Sequence, residues 1–412
     1  MTENNQHLVP EIRFKGFTNA WEQRELGDVV KIVGGATPSK ANKAYWDGDI
    51  VWLSSQEIKD RYVSAGTYTI TEKAVRESAT KVVPAFTPLI VSRSGILARM
   101  FPISLPTVDV AINQDIKALF FDRDILDTEF FVSQLEMKEN TILTSIVKTG
   151  TTVQSVNMPD FEKLIISIPS IHEQQKIGKT FKDLGNLITL HQRKLDGLVT
   201  LKDGFLQQMF PAANEVMPRV RFAGFTGNWE ERRLEEMLTE RNEQFEESED
   251  YPLMSFVGNV GVVPKGKQYD RSFLVKGDGK KYKKTELNDF IYSSNNLETG
   301  SIGFNRTGKA VISPVYSIFY SSNDSESLFV GLLSKRKDFI NKMIHFRQGV
   351  MYGQWRIHER DFLKIIVLTP TISEQNRIID FFKNFDEQIA AQTAKLEQLR
   401  QLKAAYLQRM FI

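Results

Sequence analysis

The sequence predicts an α/β (α+β) protein in which two strand-rich domains are carried on a duplicated frame with two long helices. Three observations predict it. PEIRFKGFTNAWEQREL at 10–26 returns as PRVRFAGFTGNWEERRL at 218–234, with ten of seventeen positions identical. A helix-patterned stretch at 170–210 returns at 371–411. The segments between, 26–168 and 234–368, hardly resemble each other, although both are rich in short β-like runs. Such repetition marks a duplication before it marks anything else.

Each opening leads into a strand-rich segment. The first contains DIVWLSS, PLIVSRS and VAINQDIKALFF, and the second DFIYSSNN, AVISPVYSIFYSS and LKIIVLT. Gly, Pro, Asn and Ser punctuate both, so each reads as a mixed domain with a strand-rich core. A proline then precedes a capping-box pattern, Ser170 with Glu173 and Thr371 with Glu374. Apolar residues follow at Ile177, Phe181, Leu184, Ile188, Leu195, Leu198, Leu201, Phe205 and Met209. Displaced by 201 positions they return as Ile378, Phe382, Phe385, Ile389, Leu396, Leu399, Leu402, Tyr406 and Met410. Steps of three and four make one stripe along a long helix. A helix with so narrow a stripe needs a partner, and the other copy is the economical one. The residues assigned to pairing are Ile177, Phe181, Leu184, Ile188, Leu195, Leu198, Ile378, Phe382, Phe385, Ile389, Leu396 and Leu399. His191, Gln192 and Gln392 interrupt the stripe, where a polar layer fixing register is expected. The predicted boundaries are 1–168 (first domain), 169–210 (first helix), 211–368 (second domain) and 369–412 (second helix).

Composition narrows the function. The net charge is only +2 and there is no cysteine, so thiolate metal sites, disulfides and cysteine nucleophiles are excluded. That absence, a polar N-terminus and no apolar run near the roughly 18 residues of a membrane helix point to the cytoplasm and away from a membrane. GFNRTGKA at 303–310 imitates a phosphate loop, but Ala310 stands where the magnesium-binding hydroxyl belongs and Pro314 stops the required helix. Five scattered histidines show no metal-ligand spacing. No catalytic constellation emerges.

Binding residues are easier to find. Lys40, Lys43 and Tyr45 sit on the Gly/Pro/Ser stretch GGATPSKANKAYW, and Arg93 and Arg99 lie in VSRSGILARM. INQDIK and VKTGTTVQS add Asn113, Gln114, Lys148 and Gln154. In the second domain KGDGKKYKKTE reads as a loop whose Lys280, Lys281, Lys283 and Lys284 suit phosphate contact. Arg306 is a further candidate. HFRQGVMYGQWRIHER interleaves Arg347, Gln348, Gln354 and Arg356 with Tyr352 and Trp355. Arginine and glutamine pair bidentately with guanine and adenine in the major groove. Trp46 and Trp52 read as core.

The RFxGFTxxWExRxL openings, the GGATPSKANKAYWDGDIVWLSSQEI segment, the PSIHEQQKI and PTISEQNRI pieces and the repeated helices resemble the specificity subunit of a type I restriction–modification system over essentially the whole chain. The resemblance implies two target recognition domains, each reading one half of a split, asymmetric sequence of double-stranded DNA. It implies a pseudo-twofold repeat whose helices pack as an antiparallel coiled coil, set the spacer and dock two modification (methyltransferase) subunits. S-adenosylmethionine is then carried by those partners, ATP by the restriction subunits, Mg likewise by partner subunits, and no cofactor by this non-catalytic chain. The alternative is a stand-alone pseudo-dimeric DNA-binding regulator.

Overall fold

The computed structural model describes residues 9–150, 153–212, 214–258, 260–264, 281–295, 297, 301–350 and 354–412. The chain divides into two units. The first comprises 1–192 with 394–412, and the second 193–393. The long helices, Ile171–Gln208 and Ile372–Met410, cross this division. Each unit therefore holds the first part of one long helix and the last part of the other.

In the first unit the opening strand Glu22–Glu25 pairs antiparallel with Ile165–Ile168, which leads into the first long helix. A five-stranded sheet runs in the order Lys31–Gly34, Ile116–Phe120, Leu89–Val91, Ile103–Pro106, Tyr62–Val63. A four-stranded sheet runs Tyr68–Ile70, Trp46–Leu53, Val110–Ile112, Val82–Val83. The run VAINQDIKALFF is thus two strands in different sheets, turned at 113–115. The helix Thr128–Met137 lies beside them, N-capped by Asp127. Trp21, Phe130, Phe161 and Phe181 centre the core, together with Met410 and Phe411 from the end of the second long helix.

The second unit repeats the frame. Glu230–Arg233 pairs antiparallel with Ile366–Thr369. Its sheets run Thr239–Glu240, Ser317–Tyr320, Phe290–Tyr292, Ile302–Phe304, and Gln244–Phe245, Tyr282–Thr285, Ala310–Ile312. Trp229, Phe329 and Phe382 share a core with Met209 and Phe210 from the end of the first long helix.

The repeated motifs have one structural meaning. Glu173 and Glu374, each 1% exposed, were expected as capping partners. Both carboxylate oxygens instead accept from an opening arginine: Glu173 from Arg13 at 2.6 and 2.8 Å, Glu374 from Arg221 at 2.7 and 2.7 Å. The neighbouring glutamine pins the incoming strand, Gln174 donating to the Pro169 carbonyl and Gln375 to that of Pro370. Equivalent backbone bonds tie each opening to a helix end, Ile12 N–H to the Arg409 carbonyl and Val220 N–H to that of Gln208.

The stripe is used in two ways. Ile177 and Phe181, and likewise Ile378 and Phe382, enter the domain cores instead of serving helix pairing alone. Leu184, Leu396 and Leu399 are buried, and Ile188, Leu195, Leu198, Phe385 and Ile389 are half-buried. Leu201 and Leu402 leave the stripe, at 55% and 41% exposed. Two successive steps of three from Leu195 rotate position 201 about 120° around the helix. Lys202 turns inward in its place and pairs with Asp386. At mid-helix Gln392 is buried, and Gln192 accepts from Arg400 at 3.0 Å.

Asp386 also accepts from Arg306 at 2.8 Å and faces Lys335 at 3.9 Å. Burial pushes the Lys335 ammonium down to about 8, with Lys202 and Arg306 acting in the same sense against Asp386. In the unfolded chain a lysine titrates near 10.4. Between those values the unfolded chain binds the extra proton, so this residue makes the fold more stable as pH rises from about 8 to about 10.4. Urea unfolding followed at pH 7.5, 9 and 10.5 should show that rise, and K335M should flatten it. An unaltered pH profile in K335M would remove Lys335 as its source.

Candidate nucleic-acid interface

In the first unit, four separate segments are stitched into one patch. Ala36 N–H donates to the Ile112 carbonyl at 2.9 Å, and Thr37 Oγ1 donates to Gln114 Oε1 at 2.8 Å. Ser92 binds the Asp115 carbonyl through both its N–H and its hydroxyl. Ser94 N–H donates to the Gln154 carbonyl at 3.1 Å, and Arg93 bridges to Ser155. Val147–Lys148 pairs with Ser155–Val156. The GGATPS sequence has its reason here. A Cβ at Gly35 would lie 2.0 Å from the Ile112 carbonyl oxygen, so only glycine lets this loop close on the strand.

The stitching brings together exposed Arg93, Gln114 and Lys148 with half-buried Gln154. Lys148 lies 3.6 Å from Asp160, an exposed pair weak enough to exchange for phosphate. Asn113 does not join them. It is buried, and its side chain accepts from the Asp115 N–H, because it builds the turn between two strands. Lys40 and Lys43 are exposed further along the loop, and Arg99 is exposed after the short 3-10 helix Gly95–Ala98. Tyr45 packs beside Trp46 and Trp52, its hydroxyl donating to Glu77 at 3.3 Å.

In the second unit the predicted recognition stretch forms an antiparallel ribbon, Gln348–Val350 with Gln354–Arg356. Gln348 stands opposite Arg356, and Gly349 opposite Trp355. Directly opposed residues share a face and their neighbours take the other. Gln348 and Arg356 are therefore presented together, with Trp355 on the reverse, 49% exposed and 5.9 Å from the Arg347 guanidinium. Asn295 Oδ1 accepts from Trp355 N–H at 2.6 Å and Ser294 Oγ from Ile357 N–H at 2.9 Å, pinning the ribbon to the domain. Glu359 faces Arg356 at 3.5 Å. Burial alone would raise its carboxyl, but a backbone N–H, the Ser317 hydroxyl, Lys283 and Arg356 outweigh it and hold Glu359 below its usual range. A two-stranded ribbon of this kind fits the major groove of B-DNA.

Sequence reasoning missed Ser294, Asn295 and Glu359. The trace of the first two is the polar SSNN run directly after a strand, whereas Glu359 lies just past the ribbon, at the end of the HFRQGVMYGQWRIHER stretch. The lysine-rich stretch needs correction: Tyr282–Thr285 is a central strand, not a loop. Lys283 is buried 4.0 Å from Glu359. Lys284 pairs with Glu243 and Glu286 at 3.1 Å each and lies over the Phe245 and Tyr251 rings. Arg306 is taken up by Asp386 and the Phe304 ring. Lys281 is exposed. Lys280, Tyr352 and the Gln354 side chain lie outside the described residues. Among the described residues no group of three or more His, Cys, Asp or Glu is placed to hold a metal ion, and no helix is long and apolar enough to cross a membrane.

Comparison with known proteins agrees with this architecture. The family described as "Type I restriction modification DNA specificity domain" matches residues 19–199 and 226–401. The type I restriction enzyme EcoR124I/EcoR124II specificity subunit of Escherichia coli is 36% identical over 172 residues, 41% of this chain and 42% of that protein. The chain thus spans less than half of that relative. The MjaVIII specificity subunit of Methanocaldococcus jannaschii is 22% identical over 415 residues, 93% of this chain and 90% of that one. The S subunit of a type I system from M. genitalium shares the fold, with a TM-score of 0.64 at 15% identity over 98% of this chain and 99% of its own. With both halves matched and the strand-rich domains and paired long helices in place, the chain belongs to the type I restriction–modification DNA specificity family.

Proposed function

We propose that this chain is the non-catalytic specificity subunit of a type I restriction–modification complex and that each unit reads one half of a bipartite, asymmetric DNA target. The observation that carries the reading is the pinned ribbon. It presents Gln348 and Arg356 on one face, whereas the first unit presents Arg93, Gln114 and Lys148 from an unrelated insert on the same frame. Like frames with unlike polar surfaces suit two unlike half-sites. The long helices set the separation of the half-sites and dock two modification subunits in the cytoplasm. S-adenosylmethionine belongs to those subunits, ATP to the restriction subunits, and Mg likewise to partner subunits.

Sequencing methylated adenines in a host with and without this chain tests the proposal. Deletion should abolish one bipartite motif. The variant R347A/Q348A/R356A should lose only the half-site read by the second unit. On purified complex it should weaken binding at least tenfold, since each base contact contributes about 1–3 kcal/mol. Binding through several phosphates must also fall steeply with salt. An unchanged methylome alongside salt-dependent DNA binding by the chain alone would favour a stand-alone regulator.

A further inference from the structure

The frames repeat, but not every position on the helix face that meets the insert does, and two of the differences change both size and charge there. In the first unit the long helix passes close against the start of the insert helix Thr128–Met137 at Gly178. A Cβ there would lie 2.6 Å from the Phe130 amide nitrogen and 2.6 Å from Asp127 Oδ1. Displaced by 201 positions, the second helix carries Ile379, half-buried against its own core. Seven residues on, two turns along the same face, the first helix has Gly185 and the second has Asp386. A Cβ at Gly185 would sit 3.9 Å from Arg61 Cδ.

The inserts differ to match. Phe130 stands 5.8 Å from Trp21 and 5.3 Å from Phe411, and Phe329 stands 5.8 Å from Trp229 and 5.5 Å from Phe210. Aligning these two phenylalanines sets Glu136 of the first insert against Lys335 of the second. The first insert brings its own carboxylates. Arg61 pairs with Glu129 at 2.9 Å and Glu136 at 2.7 Å, and the frame adds Lys182 to Glu129 at 3.3 Å and Lys403 to Glu136 at 2.7 Å. The second insert brings cations. Arg306 and Lys335 both turn to Asp386, a frame residue already holding Lys202, the counterpart of Lys403.

We propose that positions 178 and 185, with their counterparts 379 and 386, form a two-position key that seats each insert in its own frame. Gly178 and Gly185 take an insert whose helix closes on the frame backbone and whose arginine is already neutralised. Ile379 and Asp386 take an insert that leaves that clearance and presents unneutralised cations. In the wrong frame the first insert collides with Ile379. The second insert sets Arg306 and Lys335 against Lys182 and Lys403 with no frame carboxylate at the key.

The test uses full-length chimeras in which one insert, 26–164 or 234–365, occupies both frames. Thermal stability is the readout, so the outcome does not depend on DNA recognition. The first insert in the second frame should lower the melting temperature of that unit by about 6 °C or more, and I379G should restore at least half of the loss. The second insert in the first frame should do likewise, with G185D as the rescuing change. In the parent chain G185D should leave the melting temperature unchanged, whereas D386G should lower it. Chimeras as stable as the parent would overturn the key, and so would chimeras that stay destabilised or unfolded with their rescuing substitution. Equal melting temperatures for the parent and its D386G variant would overturn the charge half.

Discussion

F411A lowers the stability of the first unit by about 3–5 kcal/mol, the range for emptying a buried aromatic site. Phe411 follows the second long helix and is 4% exposed. Its ring meets Trp21 edge-on at 6.2 Å and lies 5.6 Å from Phe181 and 5.3 Å from Phe130. It therefore closes a core built mostly from residues hundreds of positions earlier. Amide exchange resolved by peptide is the measurement. Protection should fall across the first unit and hold in the second, and F210A should give the mirror result. Uniform loss across both units would contradict the division of the cores.

E374A should be about as damaging to the second unit. Arg221 is 16% exposed and loses both charged acceptors, and stripping one partner from a largely buried pair costs about 3–5 kcal/mol. E374Q keeps the shape and one acceptor but not the charge, and should fall between. The pair E173A and E173Q should repeat the pattern in the first unit, where Arg13 is 11% exposed. Denaturant unfolding of the four variants checks this. Equal stability of E374A and the parent would reduce the pair to an incidental contact.

The frame was legible in the sequence because it was written twice. Matching residues at fixed displacements exposed the openings, the Glu-Gln pieces and the helices without knowledge of their contacts. Their contacts were not legible. Glu173 and Glu374 fit a capping box locally, and only the return of the opening segment sets a guanidinium against them. The inserts had no second copy to compare. Side-chain type alone could not separate Asn113, which makes a turn, from its exposed neighbour Gln114. Nor could it show that Lys283 and Lys284 lie on a strand among acids. The stretch at 345–360 stands out because base-reading residue types cluster there, whereas Ser294 and Asn295, which pin it, lie elsewhere in sequence and carry no such signature.

The discontinuous make-up of the first unit bears on how the protein comes off the ribosome. Domains generally fold in the order of synthesis. Here residues 193–393, an unbroken stretch, contain all of the second unit, whereas the first needs 394–412 to complete its core. The half that is translated first is thus the half that matures last. Until Phe411 emerges, Trp21, Phe130 and Phe181 wait with one wall of their core missing, and a holdase chaperone that grips exposed aromatics would find its client there.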